Sequence, residues 1–271
     1  MLKHCARRAG HLVGLAVYLT CAGDALGQEA KRQPPGASFF EDFSSFDRRR
    51  WFVSNGWNSG GFQNCTYAES HVHPVKGALE LRLTDTPSAR GPYTCAEIQS
   101  MELYGHGMYE VRMRAAAATP GVVSAFFTFV RPPHDELDIE FVGKHPKQVQ
   151  LNYFVNGAPQ RGKNIDLEFD TTTTMNDYAF EWLPDVLRWF ANGRLIYEVK
   201  KEGNAPFPVE PGKIHFSIWS GSAQSNAWLG PFVYPGPLTV RFEHVAFTEA
   251  GKPCQFPSSV ICARAAKEKP Q

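Results

Sequence analysis

Leu187-Arg188-Trp189-Phe190-Ala191-Asn192-Gly193-Arg194-Leu195-Ile196-Tyr197-Glu198-Val199 is the stretch on which the fold class turns. Two apolar-rich runs flank Asn192-Gly193, the dipeptide that best tolerates the positive φ angles of a tight hairpin turn. The reading is an antiparallel hairpin. A period of two recurs in Leu79-Glu80-Leu81-Arg82-Leu83 and in Tyr109-Glu110-Val111-Arg112-Met113, where apolar side chains alternate with charged ones as half-buried strands require. Further strand-like runs cover residues 124–130, 149–155, 178–183, 214–219 and 238–248, with Gly, Pro or Asn between most of them. No segment carries a clear amphipathic-helix pattern. Many short strands punctuated in this way predict an all-β fold, an antiparallel sandwich of jelly-roll type.

The wider composition agrees. The chain has 271 residues, 43% of them hydrophobic, enough for a sizeable core, and 23 Gly with 20 Pro suit turns better than long helices. Lys and Arg number 28 against 27 Asp and Glu, so no strong field points to nucleic acid or an anionic membrane as partner. Lys3, Arg7 and Arg8 precede an apolar run over residues 12–22, followed by small residues at Ala25 and Gly27. Residues 1–27 therefore read as a secretion signal; the run is far shorter than the roughly 20 apolar residues of a spanning helix. A short linker is expected over residues 28–38, one β domain over 39–262, and a loose tail of small and charged residues over 263–271. The expected mature protein is exported, monomeric and free of the membrane. Export leaves Cys65, Cys95, Cys254 and Cys262 in an oxidising compartment. Of the three pairings four cysteines allow, a local clasp of Cys254 with Cys262, leaving Cys65 with Cys95, is preferred. Zinc is disfavoured because no Cys-x-x-Cys pair occurs.

Chemistry concentrates in His134-Asp135-Glu136-Leu137-Asp138-Ile139-Glu140-Phe141. On a strand, Glu136, Asp138 and Glu140 project from one face while Leu137, Ile139 and Phe141 pack behind it. Ionised neighbours repel, so the trio must keep one acid protonated, bind a cation, or lie fully solvated. The first option suits hydrolysis of a glycosidic bond, which needs a carboxylate and a carboxylic acid flanking the anomeric carbon. Spacing alone does not choose between retention and inversion, nor does it exclude Ca²⁺ or a plain solvated face. Trp57, Phe127, Phe129, Tyr153, Phe154, Trp219 and Trp228 lie in or beside strand-like runs. Their faces can stack on sugar rings, although about half must pack inward on alternating strands.

The stretch Asp135 to Gly143 resembles the signature of glycoside hydrolase family 16, and within it the bacterial β-1,3-1,4-glucanases or lichenases. The likeness runs from about Phe39 to Thr248. It includes Ser54-Asn55-Gly56-Trp57, Gly60-Gly61, Asn64-Cys65-Thr66, Cys95-Ala96-Glu97, Tyr104-Gly105, Gly107 to Val111, Val149 to Tyr153 and Trp228-Leu229-Gly230. The chain is also similar to exported rhizobial glycanases that cut the exopolysaccharide succinoglycan. The resemblance implies a concanavalin-like jelly roll with a concave cleft, retaining chemistry and no required cofactor. It makes Glu136 the nucleophile, Asp138 the assisting acid and Glu140 the general acid/base. It pairs Cys65 with Cys95 and places Glu97, Phe127, Asn152 and Trp219 against glucosyl units; Trp57 is a further expected substrate-binding residue.

At the cleft edges this chain departs from the lichenase pattern. Gln99 replaces an Arg, His134 a Trp, Phe129 and Phe154 two tyrosines, Ser217 an Asn, and Ser59 an Asn for which Asn58 is the neighbouring substitute. Loss of several hydrogen-bond donors is expected to weaken recognition of plain mixed-linkage glucan. The family's structural Ca²⁺ would fall near Gly77, with Glu243 where an Asp ligand is expected. The expectation is an endo-β-glycanase acting on a β-1,3-1,4-linked glucan or a bacterial exopolysaccharide. The alternatives are a non-catalytic sugar-binding jelly roll and a related laminarinase, xyloglucan hydrolase or transglycosylase.

Overall fold

The structure, a computed structural model, describes residues 35–267. The expected signal over 1–27, most of the linker and residues 268–271 lie outside the described residues. In chain order the strands are β1 (Phe39–Glu41), β2 (Trp51–Val53), β3 (Cys65–Tyr67), β4 (Val72–Val75), β5 (Ala78–Leu83), β6 (Tyr93–Ser100), β7 (Gly107–Arg114), β8 (Val122–Val130) and β9 (Asp135–Val142). They continue with β10 (Gln148–Val155), β11 (Ala158–Pro159), β12 (Lys163–Asp166), β13 (Asn176–Trp182), β14 (Val186–Ala191), β15 (Arg194–Lys200), β16 (Lys213–Ser220) and β17 (Leu238–Glu249). Two short helices are α1 (Asn226–Leu229) and α2 (Val260–Lys267).

The strands form two sheets that are antiparallel apart from the parallel pair β3–β6. The back sheet runs β15-β14-β13-β7-β17-β5-β4, with β1 on β17. The front sheet runs β11-β10-β9-β8-β16-β6-β2, with β12 on β10 and β3 on β6. Successive strands β5, β6, β7 and β8 alternate between the sheets, so the chain wraps one core as a jelly roll does. The hairpin that set the fold class joins β14 to β15, with Asn192 and Gly193 at φ 47° and 74°.

Alternation decides what each sheet gives to the core. Leu137, Ile139 and Phe141 of β9 and Ile214, Phe216 and Ile218 of β16 are buried against the back sheet. Phe126 meets Phe180 across the layers with ring centres 5.6 Å apart, and Phe216 meets Phe242 edge-on at 4.8 Å. Burial of such side chains stabilises by about 1.5–3 kcal/mol each, and the tilted or edge-on pairs add geometric preference. Trp189 of the back sheet donates from Nε1 to the backbone carbonyl of Asp138 at 3.2 Å, fixing β9 from behind.

Both expected disulfides form, Cys65–Cys95 with Cα atoms 5.8 Å apart and Cys254–Cys262 at 5.4 Å. The expected loose tail over 263–271 needs correction, because α2 carries helix through Lys267. Eight residues are too few for a stable isolated helix, and tertiary contacts make up the difference. The buried Glu110 carboxylate accepts from Ser259 Oγ at 2.6 Å and Val260 N at 2.7 Å. Val260 also packs beside Met108, Ala179 and Phe190, and Arg264 reaches Glu181 at 2.9 Å. Burial, above all, raises the Glu110 carboxyl pKa above its ordinary value.

The residues proposed for calcium do not fit that role. Glu243 accepts from Arg112 Nε at 3.0 Å and faces Arg241 Nε at 4.0 Å, and two guanidiniums on one carboxylate repel a divalent cation. Gly77 forms the β4–β5 turn at φ 70°. Among the described residues no cluster of metal-ligating side chains occurs.

Candidate active site

The front sheet floors a cleft of about 750 Å³ on the side away from the core. Register sets its rows. Phe129, Glu136 and Phe154 stand opposite one another on β8, β9 and β10; Phe127, Asp138 and Asn152 form the next row; Ala125, Glu140 and Gln150 the third. The strand period thus brings the three predicted acids to one face, all lining the cleft.

Their environments differ. Asp138 is 3% exposed, and burial, with the charges of Glu136 and Glu140, pushes its carboxyl well above the ordinary range. Held protonated in this way, its carboxyl is able to donate toward Glu136. Glu140 is pushed up to about 8, first by desolvation and then by the charge of Glu136. Glu136 is engaged from the other side by His134, whose Nε2 lies 2.6 Å from Oε2. The arrangement holds one carboxylate between hydrogen-bonding neighbours and one proton-bearing carboxyl four residues on, the division of labour that acid-base chemistry across a scissile bond requires.

Trp57, Asn58, Glu97, Phe127, Phe129, His134, Asn152, Phe154, Ser217 and Trp219 all line the cleft. Gln99 does not; its amide oxygen accepts from Lys213 Nζ at 3.1 Å. Asn58 spends its amide on the Cys65 carbonyl at 3.1 Å. Glu97, 2% exposed, accepts from Ser54 Oγ at 2.6 Å. Of the aromatics, Tyr153 turns into the core, while Trp228 stays at the cleft and donates to Gln150 Oε1 at 2.8 Å.

Several cleft residues escaped the sequence reading. His215 stacks on Phe127 at 4.7 Å and lies 3.6 Å from Glu97 Oε2. Gln150, Phe62 and Arg131 also line the cleft. For His215 and Gln150 a signal existed, because each precedes a predicted cleft residue by two on the same strand face. Asp135 was passed over as well. It points opposite to the trio and is buried, accepting from Asn156 N, Val209 N and Glu210 N at 3.1, 2.9 and 3.2 Å, which pins the start of β9.

A jelly roll whose open sheet face carries an acid trio among sugar-sized aromatic surfaces defines a glycoside-cleaving enzyme. The sequence pattern described as Glycosyl hydrolases family 16 matches residues 60–230, and the chain belongs to that family. It is 41% identical over 229 residues to the endo-1,3-1,4-beta-glycanase ExoK of Rhizobium meliloti (strain 1021), covering 83% of this chain and 84% of the relative. The beta-glucanase of Bacillus subtilis (strain 168) is 37% identical, with 79% and 87% covered. Among solved structures, a prokaryotic beta-1,3-1,4-glucanase (lichenase) derived from a mouse hindgut metagenome superposes with a TM-score of 0.74 at 37% identity, over 79% of this chain and 99% of that one. The protein is a glycoside hydrolase.

Proposed function

We propose that the chain is an exported, monomeric, retaining endo-β-glycanase that hydrolyses internal β-glucosidic bonds of a 1,3-1,4-linked glucan or of a bacterial exopolysaccharide such as succinoglycan. The observation that carries this reading is the row of Glu136, Asp138 and Glu140 along the cleft floor with unequal protonation. The relatives, an endo-1,3-1,4-beta-glycanase and a beta-glucanase, support the bond type. Export is supported by the segment over residues 1–27 and by the two disulfides.

In the first step Glu136 attacks the anomeric carbon as the glycosidic C–O bond breaks, and Glu140 gives its proton to the leaving oxygen. In the second, Glu140 takes a proton from water, the water oxygen attacks the same carbon, and the ester bond to Glu136 breaks. Asp138 keeps its proton on the Glu136 side throughout and limits repulsion between the flanking acids. Phe127, Phe129, Phe154 and Trp219 supply apolar ring faces, and Asn152, Glu97 and Ser217 supply polar contacts to sugar hydroxyls.

The test is Glu136→Gln, expected to abolish release of reducing ends from lichenan, succinoglycan and laminarin offered side by side while circular dichroism stays unchanged. A fluorinated glycoside should label Glu136; mapping of the label to any other residue overturns the assignment.

A further inference from the structure

His134 was expected to touch substrate, yet its ring is spent on the protein. Nε2 sits 2.6 Å from Glu136 Oε2. The ring stacks on Phe154 at 5.3 Å and 20°, and Phe129 meets it edge-on at 5.0 Å. Those two aromatics are the row neighbours of Glu136 on either side, so the imidazole is clamped in the plane that addresses the carboxylate. Its backbone is clamped too. Gly157 N donates to the His134 carbonyl at 2.7 Å, and the neighbouring Asp135 is locked by three backbone donors. An ionised carboxylate only accepts, so Nε2 carries the proton in this contact whichever state the rest of the ring adopts.

We infer that His134 is a positioning residue for the nucleophile: it holds Oε2 of Glu136 so that Oε1 faces the anomeric carbon, and it polarises the glycosyl ester once that bond has formed. The inference rests on the double-displacement reading above. When Oε1 bonds to the anomeric carbon, Oε2 becomes the ester carbonyl oxygen, still facing the imidazole N–H. As water adds and the C1–Oε1 bond breaks, the electron pair returns to the carboxylate and the N–H stabilises the charge arriving there. No proton leaves His134 in either step. The donor slows attack slightly, by drawing charge from the nucleophile, and speeds departure, so its main effect falls on ester hydrolysis.

Two variants separate this role from stacking on a sugar or filling space. His134→Gln keeps a donor near the Nε2 position, whereas His134→Phe keeps the stacked ring and loses the donor. Positioning predicts that His134→Phe lowers kcat by about a hundredfold, the low side of what one preorganised donor supplies, with KM unchanged or lower. It also predicts a pre-steady-state burst on an aryl β-glycoside as the ester accumulates. His134→Gln should recover most of kcat and show no burst. The reverse order, with the Phe variant active and the Gln variant impaired, overturns the inference.

A measurement independent of turnover keeps the two readings apart. In wild-type protein the His134 ring N–H should give a downfield, slowly exchanging proton NMR signal, and Glu136→Ala should remove or shift it by more than about 1 ppm. An unmoved signal refutes the contact even if the enzyme is active. A moved signal with no polysaccharide cleaved by wild type keeps the contact and defeats the proposed function.

Discussion

Asp138 and Glu140 are acids whose protons are held by their surroundings. Phe127 and Asn152 flank Asp138 while Ala125 and Gln150 flank Glu140; desolvation raises both carboxyls, and the charge on Glu136 opposes a second ionisation. For catalysis the consequence is an alkaline limb: kcat/KM should fall as pH rises through about 8, where Glu140 loses the proton it must donate. The limb belongs to the coupled cluster rather than to one residue, and Asp138→Asn should move it. For stability the sign follows from proton uptake. Between the ordinary value of 4.5 and about 8, the folded state holds a proton at Glu140 that the unfolded chain has released. Its contribution is therefore complete below the lower value and is lost as pH rises toward the upper one. Glu140→Gln cannot ionise, so its melting temperature should decline less than that of wild type between pH 5 and 9, despite the loss of activity. Parallel melting curves across that range would mean the carboxyl is not held protonated.

At the scale of elements, what could be read from the sequence depended on where each cause sits. The β14–β15 hairpin was legible because Asn192 and Gly193 carry their own backbone preference and the flanking alternation is local. The acid row was legible for the same reason: a period of two fixes the face of Glu136, Asp138 and Glu140 whatever the partners of β9. Helix α2 was not, because its anchor lies about 150 residues away in sequence. Nothing in Val260–Lys267 announces that Ser259 Oγ and Val260 N will find a buried carboxylate on β7. That dependence is testable. Glu110→Ala strands two buried donors, each costing about 1–3 kcal/mol when unsatisfied, and it should free α2 while leaving the cleft untouched on the opposite sheet. Limited trypsin digestion followed by mass spectrometry should show accelerated cleavage after Arg264, with activity retained. Unchanged digestion would assign the helix to its disulfide and to Val260 packing instead.

Over the whole molecule, a rigid sheet forms the floor of the cleft while one wall is a strandless loop over residues 54–64, and the two need joining. The joins include Ser54 N to the Glu97 carbonyl at 3.0 Å, Gly56 N to the Tyr67 carbonyl at 2.8 Å and Asn64 N to the Ser220 carbonyl at 3.0 Å, and the Cys65–Cys95 disulfide between β3 and β6 reinforces them. The pairing of those cysteines could be reached by elimination, but their place could not. Only the fold shows that they tether the wall bearing Trp57, which meets Tyr67 edge-on at 5.2 Å, to the strand that carries Glu97. The cross-link closes a loop of 30 residues, which in the chain-entropy account restrains the unfolded state by about 3 to 4 kcal/mol. For a domain of this size that corresponds to about 10 °C in melting temperature. The Cys65→Ala/Cys95→Ala double variant should lose that much stability. It should also raise KM more than it lowers kcat, because the wall that meets substrate loosens while the acids on β9 stay fixed by Trp189 and Asp135 from behind. An equal fall in kcat with KM unchanged would place the disulfide's influence on the acid row and contradict the separation of wall from floor.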